Sequence, residues 1–142
     1  MAVVRILIVD DFASWRRCAA GLLQQDPDLQ IICQAADGLE AVERSAALQP
    51  DLVLLDIGLP NLDGLEAARQ IGKISPGSKI LFVTENCCQA LARAALGTGA
   101  FGYLLKSDAA TELLPAVRAV LAGRRFVSRT LGFAAPGISG ET

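Results

Sequence analysis

The run Asp51-Leu52-Val53-Leu54-Leu55-Asp56-Ile57-Gly58-Leu59-Pro60 constrains this chain most. Four consecutive aliphatic residues end in a carboxylate, and the chain then breaks at Gly58 and Pro60. An uninterrupted apolar run bounded by turn residues suits a strand covered on both faces. Both faces are covered when helices lie on each side of a parallel sheet, so the run points to an α/β architecture. Asp56 then stands at the carboxyl end of its strand, the edge along which open α/β sheets bind ligands.

The rest of the chain alternates in the same way. Residues 3–9 read as a first strand, followed by Asp10 and Asp11. Trp15, Cys18, Ala19, Leu22 and Leu23 recur at helical spacing, and Asp26-Pro27 ends that helix. Residues 30–35 form a more polar strand, expected at a sheet edge. Asp37 with Glu40 is a capping-box pattern, opening a helix expected to turn Leu39, Val42 and Ala46 inward. Residues 52–55 are the third strand, and Asp63 with Glu66 opens a third helix. Residues 79–84 are a fourth strand, again apolar. Asn86 is expected to cap a helix that runs to Leu96 and stops at Gly97 and Gly99. Residues 101–105 are the fifth strand, closed by Lys106. Ser107 or Asp108 caps a last helix ending at Gly123, in which Pro115 is expected to kink the axis or make the first turn irregular.

Five strands alternating with five helices predict a flavodoxin-like doubly wound parallel sheet of order 2-1-3-4-5. The first, third and fourth strands are the most apolar and so central, and the second is the most polar and so at an edge. Residues 1–125 are expected to form one domain. Residues 126–142 are expected to be a C-terminal tail or the start of a linker, with Phe126-Val127-Ser128 packing back on the body and a loose run from Gly132 onward.

Composition narrows the function classes. A chain of 142 residues, 52% hydrophobic and 20% charged, is globular rather than disordered. A formal charge of −2 argues against an electrostatic grip on nucleic acid, so no direct nucleic-acid binding by this chain is expected. No apolar run approaches the ~18 residues that mark a membrane span. The apolar opening is interrupted by Arg5 and runs into two acids, which fits a strand better than a secretory signal; a cytoplasmic protein without membrane contact is expected. Cys18, Cys33, Cys87 and Cys88 lack metal-ligand spacing, and the chain has no His to complete a zinc set. They are expected to be small buried or half-buried hydrophobes. Arg16-Arg17 and Arg124-Arg125 read as solvated faces.

The strand ends hold the chemistry. In the proposed order, Asp10 and Asp11, Asp56, Thr84 and Lys106 fall in one row along one sheet edge. Three carboxylates this close repel one another. Lys106 supplies one counter-charge, and a hard divalent cation such as Mg²⁺ supplies more. Such a site could make one carboxylate a nucleophile that forms an acyl phosphate, with Thr84 and Lys106 on the phosphoryl oxygens.

This set, with Tyr103 three residues before Lys106, resembles a two-component response regulator receiver domain. The surrounding text agrees: Ile8-Val9-Asp10-Asp11, then Leu54-Leu55-Asp56-Ile57-Gly58-Leu59-Pro60 with Asp63-Gly64, then Gly99-Ala100-Phe101-Gly102-Tyr103-Leu104-Leu105-Lys106. The ending Gly102-Tyr103-Leu104-Leu105-Lys106-Ser107-Asp108 is most similar to receivers that precede a helix-turn-helix output. The resemblance implies that Asp56 is the phosphoacceptor. It implies that Asp11 binds Mg²⁺ directly, Asp10 mainly through water, and that Asp56 and the Gly58 carbonyl complete the metal set. It implies that Lys106 contacts the phosphoryl group, that Thr84 moves toward it, and that Tyr103 turns inward behind it. The face of the fourth helix, fifth strand and fifth helix would then be repacked. The donor would be a phosphohistidine on a sensor histidine kinase or histidine phosphotransfer protein, and the downstream protein target is not named by the sequence. The chain would be a signalling receiver, with self-phosphorylation and self-dephosphorylation as its only enzyme-like activity.

Three positions depart from the family pattern. Glu85 stands where a small residue is usual, Ser107 where Pro is common, and Phe12 directly follows the acid pair; Phe12 and Glu85 sit at the pocket rim. Other readings are a receiver fragment of a DNA-binding transcription regulator and a Mg²⁺-dependent small-molecule phosphatase. The phosphatase lacks its usual second acid two residues after the nucleophile, where this chain has Gly58. A nucleotide or flavin module lacks its Gly-rich phosphate loop here. The first helix and the fourth helix–fifth strand–fifth helix face both offer surfaces for a homodimer.

Overall fold

β3 (Leu52–Leu55) is buried along its whole length and lies between β1 (Val4–Val9) and β4 (Lys79–Thr84). The computed structural model describes residues 3–132. β2 (Leu29–Ala35) flanks β1, β5 (Gly102–Leu105) flanks β4, and a short β6 (Phe126–Val127) flanks β5. Every pairing is parallel, and the sheet order is β2-β1-β3-β4-β5-β6. The expected order of the first five strands is present. Phe126 and Val127 pack back on the body as expected, and they do so by pairing with Gly102 and Tyr103, so the count of five strands becomes six.

The strand period of two sorts side chains into two cores. Ile6, Ile8, Leu52, Leu54, Leu81, Val83 and Leu104 face α1 (Ala13–Leu23) and α5 (Ala109–Leu121). Leu7, Val9, Val53, Leu55, Phe82 and Tyr103 face α2 (Gly38–Leu48), α3 (Gly64–Ile74) and α4 (Gln89–Leu96). Apolar residues on both faces are why β3 reads as an unbroken hydrophobic run.

Helix starts follow the capping chemistry in two of the expected places. The Glu40 N–H donates to Asp37 Oδ1 at 2.8 Å, and Glu40 Oε1 reaches back to accept from the Ala36 N–H at 3.0 Å. The Glu66 N–H donates to Asp63 Oδ1 at 3.0 Å. Hydrogen bonds from the Glu40 N–H and from Asn61 hold the Asp37 carboxyl below its usual value.

Other expectations are corrected. In α2 the buried residues are Gly38, Ala41 and Ser45, while Leu39 and Ala46 are exposed. Val42 is half-buried and packs on the core as expected, while the fully buried line runs one residue earlier than Leu39 and Ala46, through the small residues Gly38, Ala41 and Ser45. Asn86 does not cap α4. Its Oδ1 accepts from the Cys88 N–H at 2.9 Å in a local turn, and Cys88 takes the cap position. Asp108 takes the N-cap position of α5, one of the two expected there, but makes no side-chain cap bond, and the helical assignment continues through Pro115. Pro115 is exposed, so water can reach the carbonyl that its missing N–H leaves free. Cys18, Cys87 and Cys88 are exposed, and Cys33 is half-buried. Residues 133–142, expected as a loose tail, lie outside the described residues.

One glycine ties the fold to the Asp56 loop. The Gly64 N–H donates to the Ile57 carbonyl at 2.7 Å, drawing the start of α3 against the chain that leaves β3. A Cβ on Gly64 would lie 2.1 Å from the Asp56 carbonyl oxygen and 2.7 Å from Ile57 Cα. Backbone cannot swing aside as a flexible side chain does. Gly64→Ala is therefore expected to lower stability by about 1–3 kcal/mol, seen as an earlier urea midpoint at unchanged slope.

Candidate functional site

Asp10 leaves β1, Asp56 leaves β3, Thr84 ends β4 and Lys106 follows β5. The order β1-β3-β4-β5 makes these strands consecutive neighbours, so the sheet brings all four side chains to one edge. Asp10 is 1% exposed, Asp56 8% and Thr84 4%. Asp11 is exposed at the mouth. Ligating oxygens of Asp10, Asp11 and Asp56 lie within 4.8 Å of one another. Asp11 and Asp56 open into a cleft of about 530 Å³, also lined by Gly58, Thr84, Glu85 and Lys106, with Asp10 buried behind them.

The Lys106 ammonium sits between the two buried acids, 2.6 Å from Asp10 Oδ2 and 3.2 Å from Asp56 Oδ2. The Asp56 contact is a hydrogen bond. The Asp10 contact is a close ion pair without hydrogen-bond alignment, so Asp10 Oδ2 is a buried oxygen with no aligned donor. The second oxygens are tied to backbone: the Phe12 N–H donates to Asp10 Oδ1 at 2.9 Å, and the Ile57 N–H donates to Asp56 Oδ1 at 2.7 Å. Three acids whose oxygens converge, two buried and one exposed, with one lysine between the buried pair, suit a hard, oxygen-seeking divalent cation.

Burial lifts the Asp10 carboxyl above its ordinary value, and the neighbouring Asp56 charge adds to this. The contacts with Lys106 and the Phe12 N–H pull it back without cancelling the rise. Burial alone would lower the Lys106 ammonium, but its contacts with Asp10 and Asp56 outweigh burial and raise it. On its outer side Lys106 meets two aromatic rings, Trp15 at 5.3 Å and Phe12 at 5.8 Å from the ring centroids.

Sequence reasoning missed two members of this neighbourhood. Asn86 links Thr84 to Tyr103: its N–H donates to Thr84 Oγ1 at 3.3 Å, and its carbonyl accepts from the Tyr103 hydroxyl at 2.7 Å. Tyr103 already points inward, fully buried, and burial pushes its hydroxyl well above the ordinary value so that it remains a donor. Arg16, expected on a solvated face, donates to the Asp10 carbonyl and to Gln34 Oε1. Neither role has a sequence signal, since each rests on a backbone carbonyl. Phe12 and Glu85 line the cleft, as expected of rim residues.

This edge, on this sheet, defines a class of signalling domain, and comparison with known proteins agrees. The response regulator receiver domain family matches residues 6–118. The transcriptional regulatory protein LiaR of Bacillus subtilis is 34% identical over 121 residues, covering 85% of this chain and 57% of LiaR. The response regulator GacA of Pseudomonas viridiflava is 34% identical over 126 residues, covering 89% of this chain and 59% of GacA. The crystal structure of a LuxR-family two-component response regulator from Aurantimonas sp. superposes with a TM-score of 0.87 at 35% identity, covering 92% of this chain and 93% of that one. The chain belongs to the response regulator receiver domain family. It spans a little over half the length of these two curated relatives. Among the described residues, no helix is long and apolar enough to cross a membrane.

The raised Asp10 carboxyl has a measurable consequence. The folded chain holds the Asp10 proton more tightly than the unfolded chain, whose carboxyl titrates near about 3.9. That contribution is complete below the unfolded value and is lost as pH rises through the folded one. At neutral pH the charged Asp10 therefore opposes folding. Asp10→Asn keeps the shape, removes the charge and leaves Lys106 its bond to Asp56. It is expected to raise the melting temperature at pH 7 without divalent cations, with the gain shrinking as pH falls toward about 4. A lowered melting temperature at pH 7 would mean that the Lys106 pair outweighs desolvation.

Proposed function

We propose that Asp56 accepts a phosphoryl group from a phosphohistidine on a sensor histidine kinase or histidine phosphotransfer protein. The observation that bears most weight is the close set of Asp10, Asp56 and Lys106, of which Asp56 and Lys106 line a cleft that also holds Thr84. The Ile57 N–H and Lys106 each hold one Asp56 oxygen and so fix the carboxylate plane. An Asp56 oxygen attacks phosphorus, the phosphorus–nitrogen bond to the partner's imidazole breaks, and an acyl phosphate forms on this chain. The Thr84 hydroxyl donates to one phosphoryl oxygen and the Lys106 ammonium pairs with another. Asp10, Asp11, Asp56 and the Gly58 carbonyl would hold Mg²⁺. When bound, the ion neutralises charge on the carboxylates and the phosphoryl oxygens. In this reading the chain is a signalling receiver in the cytoplasm, and any catalysis is limited to its own phosphorylation and dephosphorylation. Tyr103, buried with its hydroxyl on the Asn86 carbonyl, supports a switch role in which it responds to that loop.

A second reading concerns what the receiver controls. LiaR, named a transcriptional regulatory protein, is matched over 57% of its length. That favours a receiver that governs a transcription-regulating output, and coding sequence beyond the Thr142 codon that specifies a helix-turn-helix would support it.

The phosphoacceptor reading is tested with acetyl phosphate and Mg²⁺, following intact mass. The wild type is expected to gain one phosphoryl group that hydroxylamine removes, and Asp56→Asn none. Equal gain in both proteins would move the acceptor elsewhere, and gain in neither would sink the reading.

Glu85 is exposed at the cleft mouth and carries the same sign of charge as the incoming group. Like charges at such a rim oppose approach. Glu85→Ala is expected to be phosphorylated several-fold faster by acetyl phosphate, and unchanged rates would remove Glu85 from the account.

A further inference from the structure

Beyond the phosphoryl site, residues 126–132 bind the chain's own sheet edge and reach the start of α4, next to the loop whose Asn86 N–H donates to Thr84. β6 covers the outer edge of β5, with the Phe126 N–H on the Phe101 carbonyl at 3.0 Å and the Ser128 N–H on the Tyr103 carbonyl at 3.0 Å. The Ser128 side chain is 1% exposed, and its Oγ accepts from the Leu105 N–H at 2.8 Å, directly before Lys106. Next, a single turn at Arg129–Leu131 folds the chain over, and Leu131 is 4% exposed in the same core cluster as Ala92, Ala95 and Tyr103. The first residue of α4, Gln89, clasps this turn: its Nε2 donates to the Leu131 carbonyl at 2.6 Å.

The segment is thus fastened at two ends to moving parts of the proposed switch. One fastening is β5, which holds Tyr103 and leads to Lys106. The other is Gln89, one residue after Cys88, whose N–H is tied to Asn86. Asn86 in turn is held by Thr84 on one side and Tyr103 on the other. A Thr84 hydroxyl drawn toward a phosphoryl oxygen can no longer hold the Asn86 N–H in the same place. The loop from Glu85 to Cys88 shifts with it, and Gln89 is the next residue along.

We propose that residues 126–132 are an output strap, a built-in occupant of the groove between α4 and β5. Phosphorylation of Asp56 loosens it by withdrawing Gln89 from the Leu131 carbonyl. This inference rests on the phosphoacceptor reading for its trigger, while the coupling between the Asn86 loop and the strap stands apart from it. By linkage, loosening the strap also favours phosphorylation.

The test is amide hydrogen exchange on the whole chain, with intact mass recorded on the same samples. After acetyl phosphate and Mg²⁺, exchange at Ser128, Leu131 and Gly132 is expected to speed up at least several-fold, while β2 amides stay unchanged. Gln89→Ala is expected to speed the same strap amides without phosphorylation and to accept phosphate faster than wild type. Full mass gain with unchanged strap exchange would overturn the strap and leave the phosphoacceptor reading intact. Absence of mass gain would count against the phosphoacceptor reading, and Tyr103→Phe then decides the coupling. That change removes only the hydroxyl that holds the Asn86 carbonyl, so faster strap exchange with steady β2 exchange supports the coupling. Unchanged strap exchange in Tyr103→Phe overturns it.

Discussion

The Lys106 ammonium between Asp10 and Asp56 is the contact on which the site depends. Two carboxylates buried at one sheet edge would each demand a proton or a counter-ion. A single lysine following β5, two strands along from β3, reaches across the end of β4 to meet both, and in doing so closes the row from β1 to β5. The arrangement leaves negative charge over: three acids gather here around one lysine. Burial raises Asp10 above its ordinary value, while the two acids raise Lys106 against its own burial, so the site holds a desolvated carboxylate that added positive charge relieves.

That contact exists only because the sheet is parallel and ordered as it is. Parallel strands point all their carboxyl ends the same way, and the order β1-β3-β4-β5 makes the relevant ends adjacent. The two cores on either side fix each strand's register by alternating side chains. Gly64 then sets how the chain may leave β3, since its backbone packs against the carbonyl of Asp56 itself.

Much of this was legible in the sequence for identifiable reasons. β3 and β4 announce themselves as unbroken apolar runs, and Asp10, Asp56, Thr84 and Lys106 fall at strand ends that the order must bring together. Phase and backbone contacts were harder. Leu39 reads as core by hydropathy, yet α2 buries Gly38, Ala41 and Ser45; a Cβ on Gly38 would lie 1.8 Å from the Leu62 carbonyl oxygen, a close backbone approach that hydropathy does not show. Arg16, Asn86 and Gln89 act on or through backbone carbonyls, which every residue has, so no spacing or residue type marks their partners. β6 is two residues long, too short for periodicity to register.

Trp15 is the chain's single tryptophan, and its ring lies 5.3 Å from the Lys106 ammonium. An indole's emission responds to a cation near its face, and no second indole in this chain dilutes the signal. The protein therefore has an optical reporter already fitted at its charged edge. Any ligand that draws Lys106 away from the aromatic side changes the colour or brightness of light from the native chain, with no label attached.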